Sequence, residues 1–179
     1  ECLIDRCAPT LAGVKPGNLF SFSGEEKVPE LLRIWNRQLS DKGIRLTALR
    51  QKENRHLILV YRPKALRAIL ENQDIVRFLD SLGYTGCGEP EEFLHALASR
   101  IESGSGFPHE IGVLLGYPLH DVRGFIQNRG GNACCSGCWK VYDRREEAEC
   151  QFRRYDLCTG IYLKMYRLGK SVMQLTVVA

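Results

Sequence analysis

The apolar residues of this chain follow two different periods, and the change of period divides the sequence into a strand-forming part and a helical part. Near the N-terminus, short apolar runs predict strands over 19–22, 44–49 and 57–61. The third run is apolar on both faces, which is typical of a central strand. The polar residues 51–54 between the last two runs predict a β-hairpin.

One helix is predicted between the first strand and the hairpin. Pro29 is suited to the first position of an amphipathic helix, and Gly43 is placed to end that segment. From Pro63 onwards the apolar spacing is helical, up to a last apolar run that predicts a strand over 172–178. The helices predicted in this part cover 64–82, 91–101, 108–115, 118–127 and 145–168. The sequence therefore predicts an α+β fold, with a small antiparallel sheet near the N-terminus, five or six helices, and a helix-rich C-terminal two thirds.

The bulk composition predicts one globular domain over 1–179. The chain has 179 residues and 44% apolar composition, which suffices to bury a core of ordinary size. Its net charge of +4 is spread along the chain with acids interleaved, so we do not expect nucleic-acid binding. No apolar run is long enough to span a membrane, and we expect a cytoplasmic protein. The sequence begins at Glu1, which is compatible with a removed leader.

Cysteine is the most informative residue type in the chain. Five of the eight cysteines fall within 134–158, and Cys135 with Cys138 forms a CxxC, the spacing that lets two sulfurs face one metal or close a small disulfide ring. A second CxxC or a histidine pair, which a zinc finger requires, is absent. Eight cysteines in 179 residues are well below the ~8 to 10% of short disulfide scaffolds, so we expect free thiols in a reducing compartment.

One hypothesis is a site for iron, zinc, haem iron or an iron–sulfur cluster. Thiolates and imidazole are suitable ligands for these groups, and Cys7, His109, Cys138 and Cys158 supply four donors. The competing interpretation is that any one of these thiols is a small hydrophobe in a core.

A second hypothesis makes Cys7 a nucleophile. A helix that starts near Pro9 would lower the pKa of this thiol, and His109 would act as its base with Asp121 or Asn128 as the orienting group. The stretch 109–117 is similar to the histidine strand of papain-like cysteine hydrolases. Its proline and glycine punctuation also fits a helix, on which His109 would be a surface residue.

A third hypothesis is a helix-turn-helix over 110–115 and 119–129, with a glycine-containing turn between the two helices. Arg123, Gln127, Asn128 and Arg129 would contact DNA, whereas Asp121 would repel phosphates. An ordinary helical corner, in a scaffold protein without a site, fits the same pattern.

Four blocks of the sequence resemble one family. The segments 7–20, 61–63, 107–126 and 138–142 are similar to the bacterial family called domain of unknown function 3793, in the same order. The resemblance implies an iron-linked setting of low potential, with flavodoxin-like or iron-handling proteins as partners. Within or beside the matching blocks, the residues expected to bind a cofactor are Lys15, Arg62, Glu110, Trp139 and Lys140. Cys134 and Cys135 lie outside the resemblance.

Overall fold

The computed structural model describes residues 1–23, 27–52, 54–86, 88–104 and 106–178 of the chain. These residues form eight α-helices, two short 3-10 helices and five strands, so the predicted α+β class is confirmed. The helices are α1 (Cys2–Leu11), α2 (Val28–Leu39), α3 (Pro63–Leu70), α4 (Gln73–Ser81), α5 (Pro90–Ser103), α6 (Leu119–Gln127), α7 (Arg145–Arg167) and α8 (Val172–Leu175). The strands are β1 (Gly17–Ser23), β2 (Arg45–Lys52), β3 (Arg55–Tyr61), β4 (Cys135–Ser136) and β5 (Lys140–Val141).

The N-terminal sheet has three antiparallel strands in the order β1-β3-β2. The central position of β3 is the one predicted from its apolar character on both faces. Its register pairs Leu59 with Leu19 on one side and with Thr47 on the other. A bulge between Ala48 and Arg50 shifts the β2 register.

The alternation of side chains along β3 separates two hydrophobic cores. Leu57 and Leu59 face a core formed with α3, α4, α5, the 3-10 helix His109–Val113 and the start of α6. Ile58 and Val60 face a second core formed with α1, α2 and parts of α7 and α8. The sheet is therefore covered on both faces, and its two faces belong to different parts of the chain.

Two predicted elements differ from the structure because of polar caps. The predicted helix 64–82 is divided into α3 and α4, since the Asn72 side chain accepts hydrogen bonds from the amides of Asp74 and Ile75 and starts a new helix. The described residues therefore contain more α-helices than the predicted five or six. The division of this segment adds one helix, and α1 and α8 are additional. The predicted last strand over 172–178 is wrong. Ser171 and Gln174 form a reciprocal capping box that starts α8 there.

The segment predicted as a helix over 108–115 is a 3-10 helix, His109–Val113. It contains five residues, and four of them, Glu110–Val113, are buried. A helix-turn-helix needs a first α-helix of normal length that supports a recognition helix, and this segment is too short for that part.

The second sheet has two strands and forms part of the candidate site described below. Strands β4 and β5 make an antiparallel hairpin in which Cys135 pairs with Val141. The hairpin packs between α6 and α7, because Val141 shares a buried cluster with Ala148 and Tyr155. Among the described helices, none is both long and apolar enough to cross a membrane.

Candidate functional site

A cleft of about 310 Å³ lies between the β4–β5 hairpin and the segment that runs from Phe107 to α6. We call it the aromatic cleft. Its size is at the lower end of the range for small-molecule sites, ~300 to 1,000 Å³. It is lined by Leu19, Phe107, His109, Ile111, Gly112, Leu115, Tyr117, Asp121, Val122, Phe125, Ser136, Gly137, Cys138, Trp139 and Lys140.

Trp139 forms one wall of the aromatic cleft. Its indole is buried, stacks on Tyr117 with ring centroids 5.0 Å apart, and meets the edge of Phe152 from α7 at 4.5 Å. These offset and edge contacts are the favourable arrangements for aromatic rings. The wall is therefore held from behind and does not depend on a ligand.

His109 belongs to the opposite wall. Its ring centroid lies 5.6 Å from that of Phe107 and 4.6 Å from that of Phe125. The imidazole itself is exposed, and Phe107 is 42% exposed. This wall therefore presents aromatic surface to solvent at the mouth of the cleft.

Two glycines allow the hairpin to approach its neighbours closely. A Cβ built on Gly124 of α6 would lie 2.5 Å from the Tyr142 ring, and one built on Gly137 would overlap the Phe152 ring. Larger residues at either position would displace the hairpin from α6 or α7.

Asp121 fixes the hairpin to α6. Its side chain is 2% exposed, and Oδ2 accepts a hydrogen bond of 2.7 Å from Trp139 Nε1. Oδ1 accepts from the amides of Tyr142, at 2.7 Å, and Asp143, at 3.3 Å. His120 Nε2 lies 3.6 Å from the same oxygen. The carboxylate oxygens are thus occupied by donors from the hairpin. Asp121 therefore positions the hairpin, and it does not act as the orienting group of the His109 imidazole.

Cys138 and Lys140 lie on either side of Trp139 and both line the cleft. Cys138 is exposed at the residue level, although burial of the sulfur raises its pKa and Lys15 opposes that shift. The Lys140 ammonium donates a hydrogen bond to the Gly130 carbonyl. Of the four thiol and imidazole donors predicted from the sequence, His109 and Cys138 are the two that meet in this cleft.

Lys15 lies behind the Tyr117 wall. It is 5% exposed, and its Nζ is 5.1 Å from the centroid of Tyr117 and 5.5 Å from that of Tyr155. Burial lowers its pKa, while the nearby Cys138 and Cys7 thiols oppose that shift. Lys15, which the family resemblance implied as a cofactor-binding residue, is thus buried next to the site.

Cys7 lies on the other side of the sheet. It is fully buried on α1, in the core with Leu3, Ile4 and Leu11, and burial raises its pKa well above the usual range. The 3-10 helix that begins at His109 packs instead into the core on the opposite face. The structure does not bring Cys7 and His109 together, and within the described ranges no hydrogen bond joins them.

The predicted metal ligands are not assembled either. Across the parts of the chain that the structure describes, no group of three or more His, Cys, Asp or Glu side chains is arranged to hold a metal ion. Cys158 is half-buried on α7, where burial raises its pKa. Within the described residues, Cys7, His109, Cys138 and Cys158 are therefore not brought together as one set of four metal ligands.

Arg62 has a structural environment. It is 3% exposed and donates hydrogen bonds to the carbonyls of Thr10, Leu11 and Val177 at 2.7, 2.8 and 2.9 Å. These bonds satisfy the last carbonyls of α1 and attach the segment after α8 to them. Arg62 does not line the aromatic cleft.

Glu110 is also part of an internal network. Its Oε1 accepts hydrogen bonds from Tyr84 Oη at 2.7 Å and from Arg100 Nη1 at 3.0 Å. Burial and this hydrogen bond raise the pKa of Tyr84. Of the five predicted cofactor-binding residues, Trp139 and Lys140 line the cleft, Lys15 lies behind it, and Arg62 and Glu110 stabilise the fold around it.

The remaining cysteines within the described residues are free thiols. Cys134 donates to the Val141 carbonyl, and Cys135 lies beside it at the start of β4. Cys87 lies outside the described residues. The CxxC is therefore present as two thiols on one hairpin, and Cys138 is its member at the cleft.

Comparison with known proteins gives one match. The model of a family described as protein of unknown function, DUF3793, covers residues 3–176. The chain belongs to this family. No curated protein and no solved structure matches the chain. The DUF3793 match confirms the resemblance of the four sequence blocks, and three of those blocks supply walls of the aromatic cleft or the lysine behind it.

Sequence reasoning missed most of the cleft of this DUF3793 protein. Phe107, Tyr117 and Phe125 were not candidates, because an aromatic residue in a helical pattern is more often part of a core than of a site. Their common feature is that all three lie within 107–126, the longest of the matching blocks.

Proposed function

We propose that this protein binds a small molecule with a planar, conjugated body in the aromatic cleft, with the Cys138 thiol at the rim. The observation that carries the proposal is the joint placement of aromatic surfaces from Trp139, Tyr117, Phe125 and His109 around one cavity of about 310 Å³. Aromatic rings pack well against flat conjugated molecules, and a few polar groups at the rim then fix the orientation.

The polar groups of the cleft support a binding role with a thiol nearby. Cys138, Lys140 and Ser136 all line the cavity from the hairpin. Asp121 holds this hairpin rigidly through Trp139 and the backbone, so the groups are positioned before a ligand arrives. The proposal keeps the thiol-dependent binding predicted from the sequence, but centres it on Cys138 and His109 instead of Cys7 and His109.

Calorimetric titration with planar two- and three-ring compounds tests the proposal. We expect binding to the wild-type protein, and Phe107→Ala to weaken it several-fold because it removes one aromatic surface at the mouth. Ile34→Ala is the matched control, since Ile34 is 49% exposed on α2 and does not line the cleft. An absence of binding across the set, or equal effects of both variants, contradicts the proposal.

Fluorescence gives an independent location for the ligand. The chain has two tryptophans, Trp35 and Trp139. In a Trp35→Phe background the remaining emission comes from the cleft wall, so a ligand in the cleft changes it in proportion to occupancy. A calorimetric signal without any change in Trp139 emission would place the ligand elsewhere.

A further inference from the structure

Lys15 is a buried cation without an anionic partner. Within the described ranges, no carboxylate lies within ion-pair distance of its ammonium, and no hydrogen-bond acceptor pairs with it. Its ammonium lies over the Tyr117 and Tyr155 rings, whose π electrons attract it. Lysines with 5% exposure are rare unless they are paired.

The burial of this amine is unfavourable in the empty protein. Desolvation disfavours the charged form, which is why the pKa of Lys15 is lowered. Two tyrosine faces compensate only part of that cost. An anion that approaches the amine would supply the missing partner and favour the charged form.

The position of Lys15 directs this charge towards the aromatic cleft. The Tyr117 ring that contacts Lys15 is the same ring that stacks on Trp139 and lines the cleft. Cys138, which also lines the cleft, lies near enough to Lys15 for each group to affect the pKa of the other. The ammonium is therefore one aromatic ring away from the cavity, in surroundings of low polarity where charge acts over longer distances.

The charged residues of the cleft lining are one lysine and one aspartate. Lys140 adds a second positive charge at the rim. Asp121 is the acidic residue of the lining, and its carboxylate already accepts hydrogen bonds from Trp139, Tyr142 and Asp143. Because its carboxylate is 2% exposed and already accepts these hydrogen bonds, Asp121 does not present an acceptor to the cleft, whereas Lys15 has no anionic partner among the described residues.

We infer that the ligand of the aromatic cleft is a planar anion, with its carboxylate or a similar acidic group directed towards the Tyr117 side, and that Lys15 is the buried counter-charge. This inference rests on the proposed function, because it assigns the charge of the same ligand.

A matched pair of probes separates charge from shape. 2-Naphthoate and 2-naphthamide have the same planar body, and only the first is an anion at neutral pH. We expect the wild-type protein to bind the carboxylate about tenfold more tightly than the amide. Lys15→Met should remove most of this preference while leaving the affinity for the amide unchanged. Lys27→Met, an exposed lysine outside the cleft, is the control and should leave both affinities unchanged.

Salt dependence distinguishes Lys15 from the rim lysine in the wild-type protein, so the test does not depend on how a variant folds. Buried charges are screened less than exposed ones, and the preference due to Lys15 should persist in about 0.5 M salt. A preference that disappears under that condition, or that Lys140→Met abolishes and Lys15→Met does not, would assign the charge to the rim and overturn the inference.

The two proposals fail in different ways. If the amide binds and the carboxylate binds no more tightly, the planar site stands and the inference about charge is wrong. If neither probe binds, the proposed function fails and the inference fails with it. Lys15→Arg provides a further check, because it keeps the charge and should retain part of the preference for the carboxylate.

Discussion

Trp139 donates its indole N–H to Oδ2 of Asp121 at 2.7 Å, and both side chains are more than nine-tenths buried. This bond joins the hairpin that carries Cys138 and Lys140 to the helix that forms the other side of the aromatic cleft. We therefore expect the site and the buried cluster of Trp139, Val141, Ala148 and Tyr155 to depend on the same carboxylate for stability.

Removing that carboxylate should destabilise the protein and loosen the cleft together. Asp121→Ala leaves the Trp139 indole and the Tyr142 amide without an acceptor, and we expect a loss of about 3 kcal/mol in the free energy of unfolding. Urea denaturation followed by far-UV circular dichroism measures it. Asp156→Ala, at an exposed position of α7, is the control and should change the stability by less than about 0.5 kcal/mol. Equal losses for the two variants would show that Asp121 does not hold the hairpin.

The cysteines should differ widely in their reaction with alkylating reagents. The thiolate is the reactive form, and Cys7 is fully buried with a raised pKa, so we expect it to react only when the protein unfolds. Cys138 should react in the native protein, and faster with N-phenylmaleimide than with N-ethylmaleimide, because the phenyl ring can enter the cleft. Peptide mass spectrometry over time gives the rate at each site.

Cys150 provides the comparison for the second part of this experiment. It is exposed on α7 and does not line the cleft, so its preference for the phenyl reagent should reflect intrinsic reactivity alone. If Cys7 in the native protein were labelled as fast as Cys150, this would contradict the buried position of the Cys7 side chain on α1.

Arg62 should contribute much more to the free energy of unfolding than a surface arginine does. Its guanidinium donates to four buried or half-buried carbonyls, and Arg62→Met removes all four hydrogen bonds, at a cost of about 3 kcal/mol. Arg67 forms an exposed ion pair with Glu89 at 2.7 Å, and Arg67→Met should cost less than about 1 kcal/mol. Chemical denaturation of the two variants compares them directly, and similar losses would contradict the structural role of Arg62.

Lys15 should make the stability depend on pH in a specific direction. Its pKa is lowered by burial in the folded protein, whereas an unfolded lysine keeps the ordinary value of 10.5. Between the two values the unfolded state binds more protons, so the contribution of Lys15 to stability rises with pH in that window. We expect the wild-type protein to gain stability relative to Lys15→Met as the pH is raised from neutrality towards about 9.5.

The upper limit of that window is set by the tyrosines around Lys15. Burial raises the pKa of Tyr117 to about 12, above its ordinary value of 10.0, so above that ordinary value the unfolded state ionises first and stability is lost. Tyr155, Cys138 and Cys7 have pKa values raised in the same direction. The difference between the wild type and Lys15→Met removes most of these contributions. A difference in stability that does not change with pH would mean that Lys15 stays fully charged in the folded protein over this range, without the lowered pKa.

The sheet could be predicted because its signals are local. Strand β3 is apolar on both faces over 57–60, and that property alone requires cover on two sides. The two helix starts that were missed also have local signals, namely Asn72 and the Ser171 to Gln174 capping box. In both cases the prediction followed the apolar pattern, whereas the polar cap determines where the helix starts.

The burial of Cys7 could also be predicted from the helical spacing of the apolar residues around it. Leu3, Ile4, Cys7 and Leu11 lie on one face of a helix, which is the pattern of a core-facing helix with cysteine as a small hydrophobe. The aromatic cleft could not be predicted from such spacing. Its walls come from residue 19, from 107–125 and from 136–140, and only packing on α6 and α7 brings these segments together. The unpaired state of Lys15 likewise depends on which carboxylates the fold leaves out of reach.

The Arg62 clamp connects parts of the chain that are far apart in sequence. One guanidinium holds the carbonyls of Thr10 and Leu11 near the beginning and of Val177 near the end. Opening of either segment withdraws an acceptor from the same buried cation, so the first helix and the last residues belong to one cooperative unit of local unfolding. Amide hydrogen exchange in these two segments is therefore coupled, although more than 150 residues separate them along the chain.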